Sequence, residues 1–312
     1  MIISASRRTD IPAFYAPWFI NRVRAGCLLT RNPRNANQVR RVSLYPEDVD
    51  VIVFWTRNPR PLFPFLAELD SLGYKYYFQY TLTGYPRILE PHVPQTNNAI
   101  EAFCDLSDYI GPDRIIWRYD PILLSNYTGL DYHISTFLKL ATQLAGKTRK
   151  VVISFADLYG KTIRNLDKVS GIQYMDIRKT PGLLHLLSNI IRIAKSFGMT
   201  VETCAETSVS SSLSMTRGKC IDDALIQRVF GINLTVKKDR SQRKACGCVE
   251  SVDIGQYNTC LHGCTYCYAT TSLDAVQKKR QQHNPDSPFL IGDLREGEEM
   301  FLLTKKKQMP LL

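Results

Sequence analysis

Six short runs rich in β-branched and aromatic residues punctuate the first two thirds of the chain, and between them lie five longer runs whose apolar residues stand three and four apart. That alternation is the mark of βα units built into a parallel sheet: strands place side chains on alternate faces, and amphipathic helices repeat every third or fourth residue. The strand candidates are 1–5, 51–55, 74–80, 114–117, 150–155 and 200–203, and the helical stretches are 13–25, 62–72, 95–110, 132–145 and 183–197. A run at 39–44 reads as a small hairpin or flap before the second main strand. The expected fold class is α/β, a TIM-like parallel β/α barrel, closed or partial, of six or seven units.

In folds of this kind the carboxyl ends of the strands share one rim, and sites are built there. The loops at those ends read Ser6-Arg-Arg-Thr-Asp10, Thr56-Arg-Asn-Pro59, Thr81-Leu-Thr-Gly-Tyr85, Arg118-Tyr-Asp-Pro121, Ala156-Asp-Leu-Tyr-Gly-Lys161 and Cys204-Ala-Glu-Thr207. Arg118 and Asp120 are candidates for contact with substrate or cofactor, with a structural salt bridge as the alternative. Arg7, Arg8 and Asp10 form a second group, whose paired guanidinium forks suit a carboxylate or phosphate. Glu206 is placed either to bind ribose hydroxyls or a methionine amine, or to cap the next helix. Forty Lys and Arg against 29 Asp and Glu give a formal charge of +11, which favours an anionic partner, a small molecule or a nucleic acid, without choosing between them.

The basic segment 237–244 reads as a loop that separates a barrel body, 1–235, from a cysteine-rich C-terminal segment, 236–312, which docks on it. Farther on lie a turn cluster at 284–288 and a basic run at 305–307. No stretch approaches ~18 consecutive apolar residues, and Arg7 and Arg8 stand where a signal peptide has its apolar run, so a cytoplasmic protein without a membrane partner is expected. Nine cysteines in a reducing compartment then read as metal ligands or buried apolar residues rather than as a disulfide framework. Cys27 and Cys104 fall in helical apolar patterns and are expected in the core.

The sharpest motif is Cys260-Leu-His-Gly-Cys264-Thr-Tyr-Cys267, a C-x3-C-x2-C triplet. Three thiolates in one loop can converge on one centre, and thiolate is a soft ligand that suits an iron-sulfur cluster or zinc. Three ligands leave a fourth position open, which is what chemistry needs and structure does not. His262, inside the triplet, is a metal ligand, a group tuning sulfur by hydrogen bonding, or a solvent-facing residue. Cys246-Gly-Cys248, with Cys204 and Cys220, offers up to four more thiolates for an auxiliary cluster or a zinc; the alternative is that the C-x-C pair merely lines or caps the first centre. No H-E-x-x-H, P-loop or nucleophile-elbow pattern occurs.

The triplet resembles the cluster loop of the radical S-adenosylmethionine superfamily. That resemblance implies a 4Fe-4S cluster on Cys260, Cys264 and Cys267, S-adenosylmethionine on the open iron, and Tyr266 at the aromatic position beside the cofactor. It also implies an enzyme that makes a 5′-deoxyadenosyl radical, and an electron donor such as a flavodoxin or ferredoxin. In that superfamily the loop follows the first strand of a partial barrel, whereas here it comes after six units. A circular permutation accounts for this, with 251–256 as a strand, the cysteines as its loop and 272–282 as the helix that follows. The Gly-Gly-Glu run of ordinary superfamily members does not occur. The whole chain resembles the uncharacterised prokaryotic family catalogued as domain of unknown function 1848, through Ser6-Arg-Arg-Thr-Asp-Ile-Pro12, Phe54-Trp-Thr-Arg-Asn-Pro59, Tyr80-Thr-Leu-Thr-Gly-Tyr85, Trp117-Arg-Tyr-Asp-Pro-Ile122, Cys246-Gly-Cys248 and the triplet. The alternative from another functional class is a nucleic-acid-binding protein braced by zinc or an inert cluster, without radical chemistry.

Overall fold

The computed structural model describes residues 1–33, 35–206 and 215–298. Its strands are β1 (Ile2–Ala5), β2 (Cys27–Asn32), β3 (Asn35–Ser43), β4 (Val51–Thr56), β5 (Tyr76–Thr81), β6 (Ile115–Ile122), β7 (Leu124–Ser125), β8 (Lys150–Phe155), β9 (Tyr174–Met175), β10 (Thr200–Thr203), β11 (Thr216–Arg217) and β12 (Val252–Asp253). The helices are α1 (Ile11–Phe14), α2 (Ala16–Arg24), α3 (Leu66–Ser71), α4 (Thr96–Ile110), α5 (Leu130–Gln143), α6 (Gly160–Leu166), α7 (Leu183–Ser196), α8 (Asp223–Phe230) and α9 (Leu273–Arg280). Eight strands make one sheet in the order β11-β10-β8-β6-β5-β4-β1-β12, and every pairing in it is parallel. No pairing joins β11 to β12 among the described residues, so the architecture is an α/β fold on a large parallel sheet.

Each of the six anticipated strands is present. β1, β4, β5, β6 and β8 are buried over most of their length, as strands covered on both faces must be. The period of two sorts their side chains. Ile3, Ile52, Phe54, Phe78, Trp117 and Ile153 pack with the helices, Trp117 stacking on Phe137 of α5. Ile2, Val51, Val53, Tyr77, Ile116 and Val152 face the other way, against Cys220, Ile221, Cys246, Cys248 and α8. One side of the sheet is thus a helical layer, and the other is covered by the cysteine-bearing loops.

The anticipated run at 39–44 lies in β3, which pairs antiparallel with β2. Cys27 is a correction: it opens β2 rather than continuing a helix, because α2 ends at Arg24 and Gly26, at φ +70° with the Tyr45 ring against it, turns the chain. The expected strand within 251–256 is β12, beside β1 in the register Ile3↔Val252 and Ser4↔Asp253. The segment beyond 236 packs closely on the rest: Ile254, Leu290 and Ile291 join the main apolar cluster, and Trp18 Nε1 donates to the Ser287 carbonyl at 3.0 Å. The basic run at 305–307 lies outside the described residues. No helix among the described residues is long and apolar enough to cross a membrane.

Candidate metal centre and its cavity

Asp253 fastens the loop after β1 to the last strand. Its carboxylate accepts from Ser4 Oγ at 3.1 Å, Ser6 Oγ at 2.6 Å and the Arg7 and Gly255 amides at 2.9 and 3.1 Å. The approach demands glycine at 255, since a Cβ there would stand 2.1 Å from Ser6 Oγ. Asp10 is a second junction. It caps α1 through Ala13 N at 2.9 Å, accepts from the Arg57 amide at 2.7 Å, and holds His262 Nε2 at 2.8 Å. His262 is therefore buried rather than solvent-facing, and its ring Nε2 is committed to Asp10.

The triplet loop is clamped from three sides: Tyr15 Oη donates to the Thr259 carbonyl, His92 N to the His262 carbonyl and Thr265 N to the Leu89 carbonyl, at 2.7, 3.1 and 3.0 Å. Gly263 takes φ +69°, a left-handed position that lets the loop double back between Cys260 and Cys267. All three thiols line one cavity of about 410 Å³ at the carboxyl end of the sheet. Burial pushes the Cys264 thiol up to about 12, with Arg57 opposing, and raises Cys260 as well.

Behind the loop lies a network of Tyr266, Arg57 and Thr83, the last two from the rim loops read in the sequence, around Glu90, which sequence reasoning does not single out. Arg57 donates to Glu90 Oε1 and to Tyr266 Oη, both at 2.8 Å; Thr83 Oγ1 reaches Glu90 at 2.7 Å, and Tyr266 Oη donates to Glu90 as well. Burial is the largest influence on Arg57 and works against its charge, but Glu90, Tyr266 and the Cys264 and Cys260 thiols together outweigh it and hold the guanidinium pKa well above its usual value. Burial raises Tyr266, so its phenol stays protonated.

The opposite wall is built from β6 and the cysteines of the last third. Arg118 forms an ion pair with Asp120, Nε to Oδ2 at 2.9 Å, while Nη1 donates to Cys220 Sγ at 2.8 Å and to Gln79 Oε1 at 3.3 Å. Ser154 Oγ donates to the other Asp120 oxygen. Trp55 lies between Arg118 and Arg7, their guanidinium carbons 5.2 and 5.5 Å from its ring. Cys204, Cys220, Cys246 and Cys248 all reach this wall. Cys220 and Cys204 sulfurs are 3.8 Å apart, and Cys248 Sγ accepts from the Cys220 and Ile221 amides at 3.3 and 3.5 Å. The neighbouring Cys220 and Cys246 thiols, with Arg7, hold Cys248 well below the usual thiol range against burial, and the Cys220 thiol, helped by Arg118, brings Cys204 down to about 7.

Of the residues singled out from sequence, Arg7, Arg8, Asp10, Arg118, Asp120, Tyr266, Cys246, Cys248, Cys260, Cys264 and Cys267 line this cavity. Glu206 does not line it. Its carboxylate is held by Arg178 at 2.8 Å and by the Phe155 amide at 3.3 Å, and burial raises its pKa with Arg178 opposing. Most guanidinium groups at the mouth are already paired, Arg7 with Asp239 and Arg8 with Asp253 among them. Three buried polar atoms on the lining have no partner among the described residues: Arg7 Nη2, Trp55 Nε1 and Thr9 Oγ1. No three His, Cys, Asp or Glu side chains among the described residues already close around one point as the ligands of a single ion do.

Fold and site together define an α/β protein whose parallel sheet ends in a cavity walled by seven cysteines and several arginines. The family model described as Domain of unknown function (DUF1848) matches residues 2–269, and the chain belongs to that family. No curated protein matches the chain.

Proposed function

We propose that the cavity is the active site of an iron-sulfur enzyme of radical S-adenosylmethionine type, on a partial β/α barrel circularly permuted so that the cluster strand, β12, comes last in the chain. The observation that carries the reading is that three thiols of one tightly clamped loop line the same cavity as the charged carboxyl ends of β1, β4 and β6. Cys260, Cys264 and Cys267 would hold a 4Fe-4S cluster. When bound, such a cluster supplies one electron to the sulfonium of S-adenosylmethionine, whose cleavage gives a 5′-deoxyadenosyl radical that takes hydrogen from a substrate.

The chain's own residues do the rest. The Arg57–Glu90–Tyr266 network fixes the back of the loop, so the thiols are presented on a rigid support. Arg7 Nη2, Trp55 Nε1 and Thr9 Oγ1 are buried polar groups without partners among the described residues, and such groups incur a cost unless a ligand satisfies them. Two of them are N–H donors, one cationic, which selects an anionic occupant, a carboxylate or phosphate of cofactor or substrate. The Arg118–Asp120 pair, pinned by Ser154 and Gln79, forms a preorganised wall against which the substrate lies. An electron donor of the flavodoxin or ferredoxin class would complete the system.

Anaerobic reconstitution tests this. About four irons and four sulfides per chain, a broad visible absorbance, and 5′-deoxyadenosine on reduction with S-adenosylmethionine are the expected results. Cys264→Ala should abolish all three, and Cys104→Ala should leave them intact. A chain that assembles no iron-sulfide centre, or assembles one that never cleaves the cofactor, overturns the reading and favours a metal-braced nucleic-acid-binding protein.

A further inference from the structure

Parallel pairing of β10 with β11 sets two cysteines side by side at the carboxyl end of the sheet. Thr203 faces Arg217 across the pair, and the Gly218 amide donates to the Thr203 carbonyl at 2.8 Å. The chain leaving β10 then carries Cys204, and the chain leaving β11 carries Cys220. Their sulfurs are 3.8 Å apart, and both residues line the cavity. No three His, Cys, Asp or Glu side chains among the described residues close around one point, so the contact is that of a pair and not of a ligand set. We infer that Cys204 and Cys220 are a redox-active dithiol, which a small hydroperoxide entering the cavity oxidises to an intramolecular disulfide. This inference does not rest on the radical-enzyme reading.

Adjacent strands lie about 4.8 Å apart, and the Cα atoms of a disulfide are usually about 4.4–6.8 Å apart, so the sheet sets a spacing that a disulfide can bridge. The two sulfurs differ in their surroundings. Cys220 is buried, and Arg118 Nη1 donates to its sulfur at 2.8 Å, whereas Cys204 is half-buried in the wall. The Cys220 thiol, with Arg118, brings Cys204 down to about 7 against burial, while Cys204, Cys248 and burial raise Cys220. Cys204 is thus the nucleophilic thiolate, and Cys220 keeps its proton. The Cys204 thiolate attacks one peroxide oxygen and the O–O bond breaks. That oxygen stays on sulfur as a sulfenic acid, and the other leaves as hydroxide, which solvent protonates to water. The Cys220 sulfur then attacks the sulfenic sulfur; the S–O bond breaks, and the Cys220 proton leaves with the oxygen as a second water. The two sulfurs together lose two electrons, and the peroxide gains them. Low-molecular-weight thiols restore the pair by exchange. Oxidation also changes the wall: bonded to Cys204, the Cys220 sulfur has neither proton nor charge, and Arg118 keeps Asp120 and Gln79 as its acceptors.

The test uses the full chain, reduced, freed of reductant without iron-sulfur reconstitution, and treated with a small molar excess of hydrogen peroxide. After acid quenching and alkylation with N-ethylmaleimide, trypsin cleavage at Lys195, Arg217, Lys219 and Arg228 puts Cys204 and Cys220 on separate peptides, 196–217 and 220–228. Each holds a single cysteine, and Cys246, Cys248 and the triplet all fall on 245–278. The expected result is that 196–217 and 220–228 are joined by a disulfide that dithiothreitol opens. Cys248→Ser should form the same link, and Cys220→Ser should stop at a sulfenic acid on Cys204 that dimedone captures. If Cys220→Ser fails to fold, the link in the unsubstituted chain still decides, with Cys204→Ser expected to lose it. The inference is overturned if both peptides are recovered alkylated and unlinked, if either is linked to 245–278 instead, or if the link is absent from Cys248→Ser.

Discussion

Replacing Arg57 with Met tests whether the buried network behind the cysteine loop is a stabilising unit. The Arg57 and Glu90 side chains are only 12% and 4% exposed, and they meet at 2.8 Å. Without the guanidinium, Glu90 keeps a buried carboxylate whose remaining donors are Thr83 Oγ1 and Tyr266 Oη. Removing one partner of such a pair costs about 3–5 kcal/mol, mostly the penalty of the stranded charge. Glu90→Gln keeps the shape but leaves Arg57 facing a neutral acceptor, a loss of about 1–3 kcal/mol. In the double variant neither charge is stranded, so its cost should fall short of the sum by about 2 kcal/mol or more. Equilibrium urea unfolding of the four proteins, followed by tryptophan fluorescence, measures that coupling. Additivity within about 0.5 kcal/mol would refute the reasoning, since independent sites behave that way.

His133 meets Tyr119 Oη at Nδ1 and the Leu123 carbonyl at Nε2, and burial pushes its pKa down to about 4 although the Leu123 carbonyl opposes this. The unfolded chain, near 6.5, takes up the proton first, so stability is full above about pH 6.5 and falls as the pH drops toward 4, by about 3 kcal/mol in all. Denaturation midpoints across that range should slope less in His133→Gln; an equal slope would mean that other groups carry the effect. Gly255→Ala, driven into Ser6, should cost about 1–3 kcal/mol and loosen the Asp253 anchor, whereas Gly129→Ala, with nothing within 4 Å, should be near neutral in thermal unfolding.

The sheet was legible because each main strand is an apolar run bounded by polar loops, and the triplet was legible because its ligands are neighbours in sequence. What escaped was whatever depends on the lateral order of strands. Arg57 and Glu90 are separated by 33 residues and meet only because the loops after β4 and β5 are adjacent. Trp55 reads as one more apolar strand residue, and only the placement of Arg7 and Arg118 across its ring makes it part of the cavity. Glu206 reads as rim-facing because it follows a strand, but Arg178, from the short 3-10 helix Ile177–Lys179, holds it instead. Cys204 and Cys220 carry no ligand-like spacing, and the sheet alone brings them to the C-x-C pair.

Pairing β12 beside β1 links Ser4 to Asp253 across 249 positions. On the ribosome the outer edge of the first strand therefore waits, without β12 on that side, until the chain has been made as far as Asp253. Closing so long a loop is entropically costly and slow, and an open edge invites wrong partners meanwhile. The thiol-bearing loop consequently arrives after the other seven strands of the sheet, so the cavity is completed and the edge of β1 sealed in the same late event.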